Sequence, residues 1–477
     1  MSRINTNVAS LTAQRGLANS QATLGSTLRR LSSGLRINTG ADDPAGLIAS
    51  EGLKSEMAGI RQAVDNSQRA SNIISTADGA LNEVSTLLVN IQALVVQAAN
   101  SGAMSHDEIA ANQLQVDSAV ESITRISNTT SFAGLNLLNG SLDYLTSGVV
   151  SNAISSLDIS QANFGTHPNL PVQVNVVASA QTAGLQFKSS AIPRSVTLEI
   201  AGNNGVQTLT FTSGTRSSAI AFAINGISDS TGVSAMMNTP GNVTSGISMR
   251  STGFGSKSFV SVRAQSGTFN TVDMSGNGKA RSTGRDAVAT VNGALVTGDG
   301  LHLKVNTGSL DMDMTLSKTF GAGLTSFAIT GGGALFQLGA QVTTNQQVNV
   351  AIASIAASKL GSGDVGFLNE IVTGGDATLV GGKTSQASQI ITAAIQQVAV
   401  LRGKLGAFEK NTLSTNINSL NVTLENVTSS ESQIADADFA KETANLTRAQ
   451  ILTQAGTSVL ATSNSTPQSV LTLLQGH

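Results

Sequence analysis

The 477-residue chain contains no cysteine, no tryptophan and a single tyrosine. Without cysteine it can form neither a disulfide nor a metal site built from thiolates. With aromatic residues at only 3%, it lacks the stacking platforms on which proteins hold single-stranded nucleic acid. These absences remove several classes of function, and they suit a chain that passes unfolded through a narrow channel.

Charged residues are also scarce. They make up 12% of the chain, against roughly 25% in ordinary globular proteins. The net charge of −2 at pH 7 offers no clustered cations to a polyphosphate, so nucleic acid is excluded as a partner. A low charge content reduces the solubility of a monomer, but a chain packed among copies of itself tolerates it.

Signatures of catalysis and of metal binding are lacking as well. The four histidines stand far apart, at positions 106, 167, 302 and 477, and no HExxH pattern occurs. The carboxylates of Asp42, Asp43, Asp436 and Asp438 are placed to cap or flank helices. We therefore expect no enzymatic activity, no cofactor and no metal site.

The N-terminal sequence contains no apolar core of the kind found in secretory signal peptides. No uninterrupted run approaches the roughly 18 apolar residues of a membrane span. We expect no membrane partner, and on this ground alone the sequence indicates a cytoplasmic protein.

The N-terminal segment is predicted to be helical over about 3–33. Apolar residues recur there in steps of three and four, which places them on one helix face. Members of this stripe are Ile4, Val8, Leu11, Leu24, Leu28, Leu31 and Leu35. Gly34 provides a helix stop. The next residues form a predicted loop in which Asp42 and Asp43 precede a helix, with Asp43 as N-cap and Pro44 at its first position.

A longer apolar stripe, which includes Leu88, predicts a helix over about 57–100, and a third helix is predicted over about 106–128. The C-terminal third matches this pattern with one helix over about 387–434, in which Leu420 and Leu424 keep a 4-3 rhythm.

A last helix, over about 441–465, carries Leu452 and Val459 and is predicted to end before Pro467. Helices this long are seldom needed to close the core of a single chain, so the pattern indicates a bundle or an assembly.

Between about 145 and 384 the sequence becomes rich in Gly, Ser, Thr and Asn. Short alternating runs such as SVTLEI (195–200), QTLTFT (207–212), SFVSVRA (258–264) and LHLKVN (301–306) predict strands. The expected fold is therefore mixed and multidomain. A long α-helical, coiled-coil-like bundle is built from both chain ends, and the central outer region is mostly β.

Both ends of the chain resemble bacterial flagellins. The N-terminal matches are INTNVASL (4–11), RLSSGLRINTGADDPAGL (30–47), ALNEV (80–84), VQAAN (96–100) and RISNTTSFAGLNLLNG (125–140). The C-terminal matches are RGKLGA (402–407), SQIADADFAKETANLTRAQILTQAGTSVLA (432–461) and PQSVLTLL (467–474). A weaker match to a repeat of flagellin outer domains covers residues 195–237. The terminal resemblance spans about half of the chain.

The resemblance implies a subunit that polymerises into the flagellar filament and serves swimming motility. Residues 1–40 and 441–477 would form terminal helices that line the filament channel. Residues 41–144 and 385–440 would form a helical tube domain, joined to the inner helices by the loop around Asp42, Asp43 and Pro44. Residues 145–384 would form the variable outer region that faces solvent.

The resemblance also implies partners and a location. The chain would assemble with itself and meet an export chaperone, a junction protein and a filament cap protein. It would leave the cell unfolded through the flagellar type III channel, without a cleaved signal peptide, and reside in the extracellular filament.

Two alternatives stay open at this point. A hook–filament junction protein shares the end helices, although RAQILTQAGTSVLA followed by PQSVLTLL is typical of flagellins. The second alternative is a flagellin whose outer domain carries an enzyme or an adhesin. The lack of HExxH disfavours a metalloprotease in that domain. Binding of sugars or host cells by the outer domain stays open.

One segment departs from the family pattern. Many flagellins are sensed by a vertebrate Toll-like receptor through a motif on the long N-terminal helix that contains two arginines and an acid. Aligned through ALNEV and VQAAN, this chain keeps the apolar Leu88, Ile91 and Leu94. The degenerate positions are Val89, Asn90, Gln92, Ala93 and, on the next helix, Gln115. We expect a poor activator of that receptor, because arginine is a frequent interface anchor.

Overall fold

The computed structural model describes residues 6–165, 167–239, 241–242 and 245–475 of the chain. Ile4, a member of the first predicted stripe, lies outside the described residues.

Two compact units divide the chain. The first contains the described residues up to Gln68, the short segment Gln337–Val342 and the chain from Leu413 onward; the second contains Arg69–Phe336 and Thr343–Thr412. Each unit therefore combines N-terminal and C-terminal segments, as expected for a bundle that is built from both chain ends.

Helices form both ends of the described chain, and two short helices lie in its centre. The helices are α1 (Val8–Ser33), α2 (Pro44–Ala99), α3 (His106–Thr129), α4 (Ser217–Gly226), α5 (Ser228–Thr231), α6 (Thr384–Ala407), α7 (Thr415–Ala435) and α8 (Phe439–Gln475). A π-helical segment (Phe408–Ser414) joins α6 to α7, and short 3₁₀ turns lie at Thr344–Gln346 and Leu368–Glu370.

The centre of the chain is built from strands. They are β1 (Ser131–Phe132), β2 (Leu135–Asn136), β3 (Tyr144–Ser147), β4 (Ile154–Ala162), β5 (Leu170–Ala178), β6 (Thr182–Phe187), β7 (Val196–Gly202), β8 (Gly205–Phe211), β9 (Val233–Met237), β10 (Ile247–Phe254), β11 (Phe259–Ser266), β12 (Val272–Asp273), β13 (Arg281–Thr283), β14 (Val288–Val291), β15 (Ala294–Thr297), β16 (His302–Asn306), β17 (Leu310–Leu316), β18 (Gly323–Gly332), β19 (Ala334–Gln337), β20 (Gln347–Val350), β21 (Gly361–Ser362) and β22 (Gly366–Phe367). The strand predictions at 195–200, 207–212, 258–264 and 301–306 are confirmed by β7, β8, β11 and β16.

The larger sheets are antiparallel, with strand orders β12-β6-β10-β9, β13-β11-β7-β8, β15-β14-β5-β18-β3 and β16-β17-β4-β20-β19. Two apolar cores lie between them. One contains residues such as Val174 and Met312, and the other contains Leu198, together with Ile220 from α4. Alternating burial along β7 and β16 shows why the sequence pattern of period two was informative there.

The end of the first helix agrees with the sequence-based prediction. Gly34 takes the left-handed conformation (φ 73°) and its N–H bonds to Arg30 O, so α1 ends as expected. At the other end of the loop α2 begins at Pro44, as predicted, and runs without a break through the apolar stripe of about 57–100.

The predicted end of the last helix is wrong, because α8 continues through Pro467 to Gln475. A proline inside a helix leaves the carbonyl four residues earlier without its N–H partner. That carbonyl belongs to Ser463, and it accepts a hydrogen bond from Asn7 Nδ2 at 2.8 Å instead. A side chain from the opposite end of the chain thus takes the place of the missing donor.

The single helix predicted over 387–434 is interrupted by the π-helical segment. The apolar positions Phe408 and Leu413 are five residues apart, a step that a π turn accommodates and an α-helix does not. In this segment the Glu409 carboxylate accepts the hydroxyls of Ser71 and Ser75 on α2, at 2.7 and 2.9 Å.

One window of α2 is long and apolar enough to cross a membrane, judged by length and composition only. Its neighbours explain that composition. Ile74, Leu81 and Leu88 on this helix are fully buried, so one face of α2 packs against other parts of the chain.

Candidate functional site

Helices α1 and α8 of the first unit form an antiparallel pair. Asn7 at the start of α1 contacts Ser463 in the last third of α8, and Arg30 near the end of α1 faces Glu442 near the start of α8. Midway, a Cβ placed on Gly456 would lie 3.6 Å from Leu17 Cβ, so the two helices are in contact at this point.

The outer end of the pair is held by amide and hydroxyl groups. Asn7 is the N-cap of α1, where its Oδ1 accepts from Ser10 N at 3.0 Å, and its Nδ2 donates to Ser463 O at 2.8 Å. Ser10 Oγ, on a residue that is buried in the pair, donates to Asn464 Oδ1 at 2.7 Å. Asn7 therefore caps the start of α1 and also binds that helix to α8.

The opposite end of the pair carries a buried charge. Glu442 is 6% exposed, and its Oε1 lies 3.7 Å from Arg30 Nη1. Within the described residues, Glu442 Oε2 and Arg30 Nε have no hydrogen-bond partner. A buried carboxylate with an unfilled oxygen is costly, so this end of the pair is incompletely satisfied in a single chain.

Several large apolar side chains of both helices are exposed rather than buried in the pair. Val8, Leu11 and Leu28 on α1, and Leu452 and Val459 on α8, are between 48% and 59% exposed. Leu31 is half-buried. The positions that α1 and α8 do bury are small or polar: Ser10, Thr27, Ala449 and Glu442. The pair therefore presents apolar surface that one chain does not cover.

The loop between α1 and α2 is bound to the turn between α7 and α8. Arg36 N donates to Ala435 O at 2.7 Å, and Ala437 N donates to Gly34 O at 2.9 Å. These bonds flank an antiparallel bridge between Leu35 and Asp436. Backbone hydrogen bonds thus join the N-terminal and C-terminal segments at this point.

Asp42 and Asp43 organise the same loop. Asp42 Oδ2 accepts from Thr39 Oγ1 at 2.9 Å and from Thr39 N at 2.8 Å, and these bonds lower the pKa of the Asp42 carboxyl. Asp43 Oδ1 accepts from Gly46 N at 2.9 Å, the geometry of an N-cap on the helix that starts at Pro44.

Within the first unit α2 lies against α7 through polar contacts. Glu431 Oε1 accepts from Ser50 Oγ at 2.8 Å and lies 3.8 Å from Lys54 Nζ, which explains why an acid interrupts the apolar rhythm of α7. Leu420 and Leu424 are half-buried in this unit.

In the second unit α2 packs against α6. Leu88 is fully buried, and the Arg402 guanidinium reaches Asp78 Oδ1 at 2.8 Å and Asn82 Oδ1 at 3.0 Å. Gln92 Nε2 donates to Ser388 Oγ at 3.0 Å.

Most positions of the degenerate receptor motif are on the surface of the second unit. Val89, Asn90 and Ala93 on α2 and Gln115 on α3 are exposed, whereas Gln92 is half-buried through its contact with α6. Gln92 is therefore partly engaged in packing, whereas the other four positions are accessible to a receptor.

A lysine joins α6 to the central sheets. Asp313 on β17 stands directly opposite Asp158 on β4. Lys404 Nζ bridges the two carboxylates at 2.9 Å from Asp158 Oδ2 and 3.5 Å from Asp313 Oδ2. Like charges placed opposite each other on a sheet are destabilising, so the ammonium group compensates the pair.

No group of three His, Asp or Glu side chains that could hold a metal ion occurs among the described residues.

Sequence reasoning missed the polar contacts of the terminal pair. Asn7, Ser10, Asn464 and Glu442 interrupt no apolar stripe and so gave no periodic signal. The available signal was Pro467, because a proline in a helical pattern implies an unpaired carbonyl at position 463.

Comparison with known proteins gives family, sequence and structure matches. The family described as the bacterial flagellin N-terminal helical region matches residues 4–143, and the C-terminal helical region matches 388–474. A flagellin of Salmonella rubislaw is 30% identical over 503 residues, covering 99% of each chain. A B-type flagellin of Pseudomonas aeruginosa is 30% identical over 536 residues, again with 99% of each covered. A solved flagellar hook-associated protein-3 of Legionella pneumophila is 14% identical, with a TM-score of 0.33 over 80% of this chain and 98% of that one.

Proposed function

Because this chain belongs to the bacterial flagellin family, we propose that its terminal helices fold as a pair only when the subunit enters a filament. As a flagellin it is the filament-forming subunit of the bacterial flagellum, a structural protein without enzymatic activity. It polymerises with copies of itself, and its place is the extracellular filament.

The exposed apolar residues of the terminal pair carry this proposal. Fully burying a side chain such as Leu11 or Val459 is worth about 1.5–3 kcal/mol, and roughly half of that gain is unrealised in one chain. Ordering a residue's backbone costs roughly 1–2 kcal/mol. A pair whose internal contacts are small and polar therefore gains too little to fold alone, and neighbouring copies supply the missing burial.

Truncation tests this coupling. Removing residues 1–35 or 441–477 is expected to leave a soluble, folded central protein that does not polymerise, while the full chain forms filaments under the same conditions. Amide exchange of the full-length monomer should show unprotected terminal segments. Filaments that grow normally from either truncated form would refute the proposal, and protected termini in the monomer would refute the coupling alone.

The loop around Asp42, Asp43 and Pro44 serves as the connector between the terminal helices and the tube helices in this proposal. Its support is the set of backbone bonds to the α7–α8 turn, which gives the loop a defined position rather than a free surface course.

The central region, about 145–384, is assigned to the outside of the filament. Deleting residues 150–380 and joining the ends with a short Gly/Ser linker is expected to preserve assembly, because the matches to the flagellin helical regions lie outside this segment. A folded deletion protein that never polymerises would contradict the assignment.

The export chaperone, the junction protein and the cap protein are proposed as further partners, with export in unfolded form through the flagellar channel. The lack of cysteine supports passage as an extended chain, since no disulfide can lock a folded state. Accumulation of the protein inside cells that lack the flagellar export channel, but not inside cells that lack the general secretion pathway, is the expected result.

We further propose weak activation of the vertebrate Toll-like receptor. Asn90, Ala93 and Gln115 are exposed where related flagellins carry charged contacts, so they offer no anchoring guanidinium or acid. Purified monomer would be titrated on receptor-expressing reporter cells beside an Asn90→Arg, Gln92→Arg, Ala93→Glu variant whose melting curve is checked, because Gln92 also contacts Ser388. Full potency of the unmodified chain, or no gain in the variant, would count against the proposal.

A further inference from the structure

We propose that Asn7 sets the register of the terminal helix pair, by donating to the one carbonyl of α8 that Pro467 frees. The inference rests on the proposed pairing of α1 and α8 in the filament, and it adds the residues that decide how the two helices align.

Packing alone specifies this register weakly. The α8 residues that are buried or half-buried toward α1 recur at heptad-like spacing and are mostly small: Ala449, Thr453, Gly456, Leu460 and Ser463. A slip by one heptad would place Leu17 against Ala449 instead of Gly456, which changes the packed volume little. In coiled coils of this kind a single polar residue in the seam is an effective way to fix register.

Pro467 makes one turn of α8 different from every other turn in the pair. In a regular helix Ser463 O would accept from the N–H of residue 467, but proline has none. The freed carbonyl faces α1, where Asn7 Nδ2 reaches it at 2.8 Å. Leaving this partly buried carbonyl without a donor is unfavourable, so alignments that remove Asn7 from Ser463 are penalised.

Asn7 is also suited to hold its own position. Its Oδ1 is engaged as the N-cap of α1 through Ser10 N, which fixes the amide plane and aims Nδ2 at α8. The next turn of α1 favours the same register, because Ser10 Oγ donates to Asn464 Oδ1 at 2.7 Å. The cap of one helix and the proline of the other thus act as a matched pair.

A double-mutant cycle measures this match. Asn7→Ser keeps an oxygen for the N-cap but is too short to reach Ser463 O. Pro467→Ala returns an N–H to the helix and fills that carbonyl without Asn7. The critical concentration for filament growth is the readout, since the contact exists in the proposal only after assembly. Asn7→Ser is expected to raise it roughly three- to tenfold, as a lost hydrogen bond does, and by less than twofold in the Pro467→Ala background.

Cross-linking reads the register itself. The chain has no native cysteine, so introduced pairs have no competitors. Leu17→Cys with Gly456→Cys meets the Cβ separation of about 3.5–4.5 Å that a disulfide requires. Leu17→Cys with Ala449→Cys is one heptad, about 10 Å, out of register. In filaments only the first pair should oxidise, and the second should appear when Asn7→Ser is added.

Each outcome decides the point. If Asn7→Ser changes the critical concentration equally in both backgrounds, or in neither, the register role is overturned. It is also overturned if only the 17–456 pair cross-links in every variant. If Asn7→Ser abolishes growth, Pro467→Ala should restore it, and failure to do so also overturns the role. If filaments with native Asn7 do not form the 17–456 link at all, the helix pairing in the proposed function fails instead.

Discussion

The single tyrosine gives a direct test of how tightly the junction of the central sheets is packed. Tyr144 is 7% exposed. Its hydroxyl accepts from Ala162 N at 2.7 Å and donates to Asn349 O at 3.0 Å. Burial is the main cause that raises the pKa of Tyr144 from 10.0 to about 12. Ionisation would place a charge in an apolar core and remove the donor that Asn349 O requires.

The sign of the pH dependence follows from these values. In the unfolded chain Tyr144 loses its proton near pH 10, whereas in the folded chain it keeps the proton until about pH 12. Its contribution to the free energy of unfolding is therefore fully present below pH 10 and is lost as the pH rises toward 12. The loss over this window is on the order of 3 kcal/mol, because each pKa unit is worth about 1.4 kcal/mol.

The assay is simple because the chain has one tyrosine and no tryptophan. Tyrosinate absorbance of the folded protein should titrate with a midpoint near 12, and near 10 in denaturant. Tyr144→Phe is expected to be less stable at neutral pH by about 1–3 kcal/mol, since Ala162 N loses its acceptor, but to lose less stability between pH 10 and 12. A folded-state midpoint near 10, or an alkaline loss of stability unchanged by Tyr144→Phe, would refute the reasoning.

Three further changes test packing, capping and charge. Leu88→Ala should lower the unfolding free energy of the monomer by about 2–5 kcal/mol. Leu424→Ala, at a half-buried position, should lower the unfolding free energy less in the monomer and more in the filament. Equal losses for the two variants in denaturant melts of the monomer would contradict the burial pattern. Asp43→Ala should cost about 1 kcal/mol and fray the start of α2, while Asp43→Asn keeps the cap, so identical melts of the two variants would argue against capping. Lys404→Met should destabilise the second unit by about 1 kcal/mol, because the Asp158–Asp313 repulsion is then uncompensated, and the loss should be smaller at high salt. Adding Asp158→Asn should restore stability. If it does not, Lys404 acts through packing instead.

Predictions from local pattern succeeded where one side of an element is buried. The stripe through Leu88 and the alternation in SVTLEI each reflect a face whose burial is repeated along the chain, and such repetition is visible in residue order. Gly34 was predictable for a related reason, because only a residue without Cβ takes the left-handed conformation at low cost.

Predictions failed where the outcome depended on a partner far away in the chain. Pro467 carries a strong local signal to end a helix, yet α8 continues through it. Asn7, which lies 456 residues before Ser463, donates to the carbonyl that the proline leaves without its helical partner. The π turn at Phe408–Ser414 differs in this respect. Its five-residue step between apolar positions is visible in the sequence, and only the contacts of Glu409 with serines of α2 depend on a distant segment.

The sequence by itself therefore determined the class of the fold, the helical nature of both chain ends, the β-rich centre and, through the flagellin motifs, the family. These follow from local periodicity and from ordered motifs. Only the tertiary structure decided which faces of the terminal helices meet. There the small and polar residues are buried and Val8, Leu11, Leu452 and Val459 remain outside. Periodicity identifies a face, but the surface that covers it is set by hydrogen bonds and close approaches between segments that sequence order does not bring together.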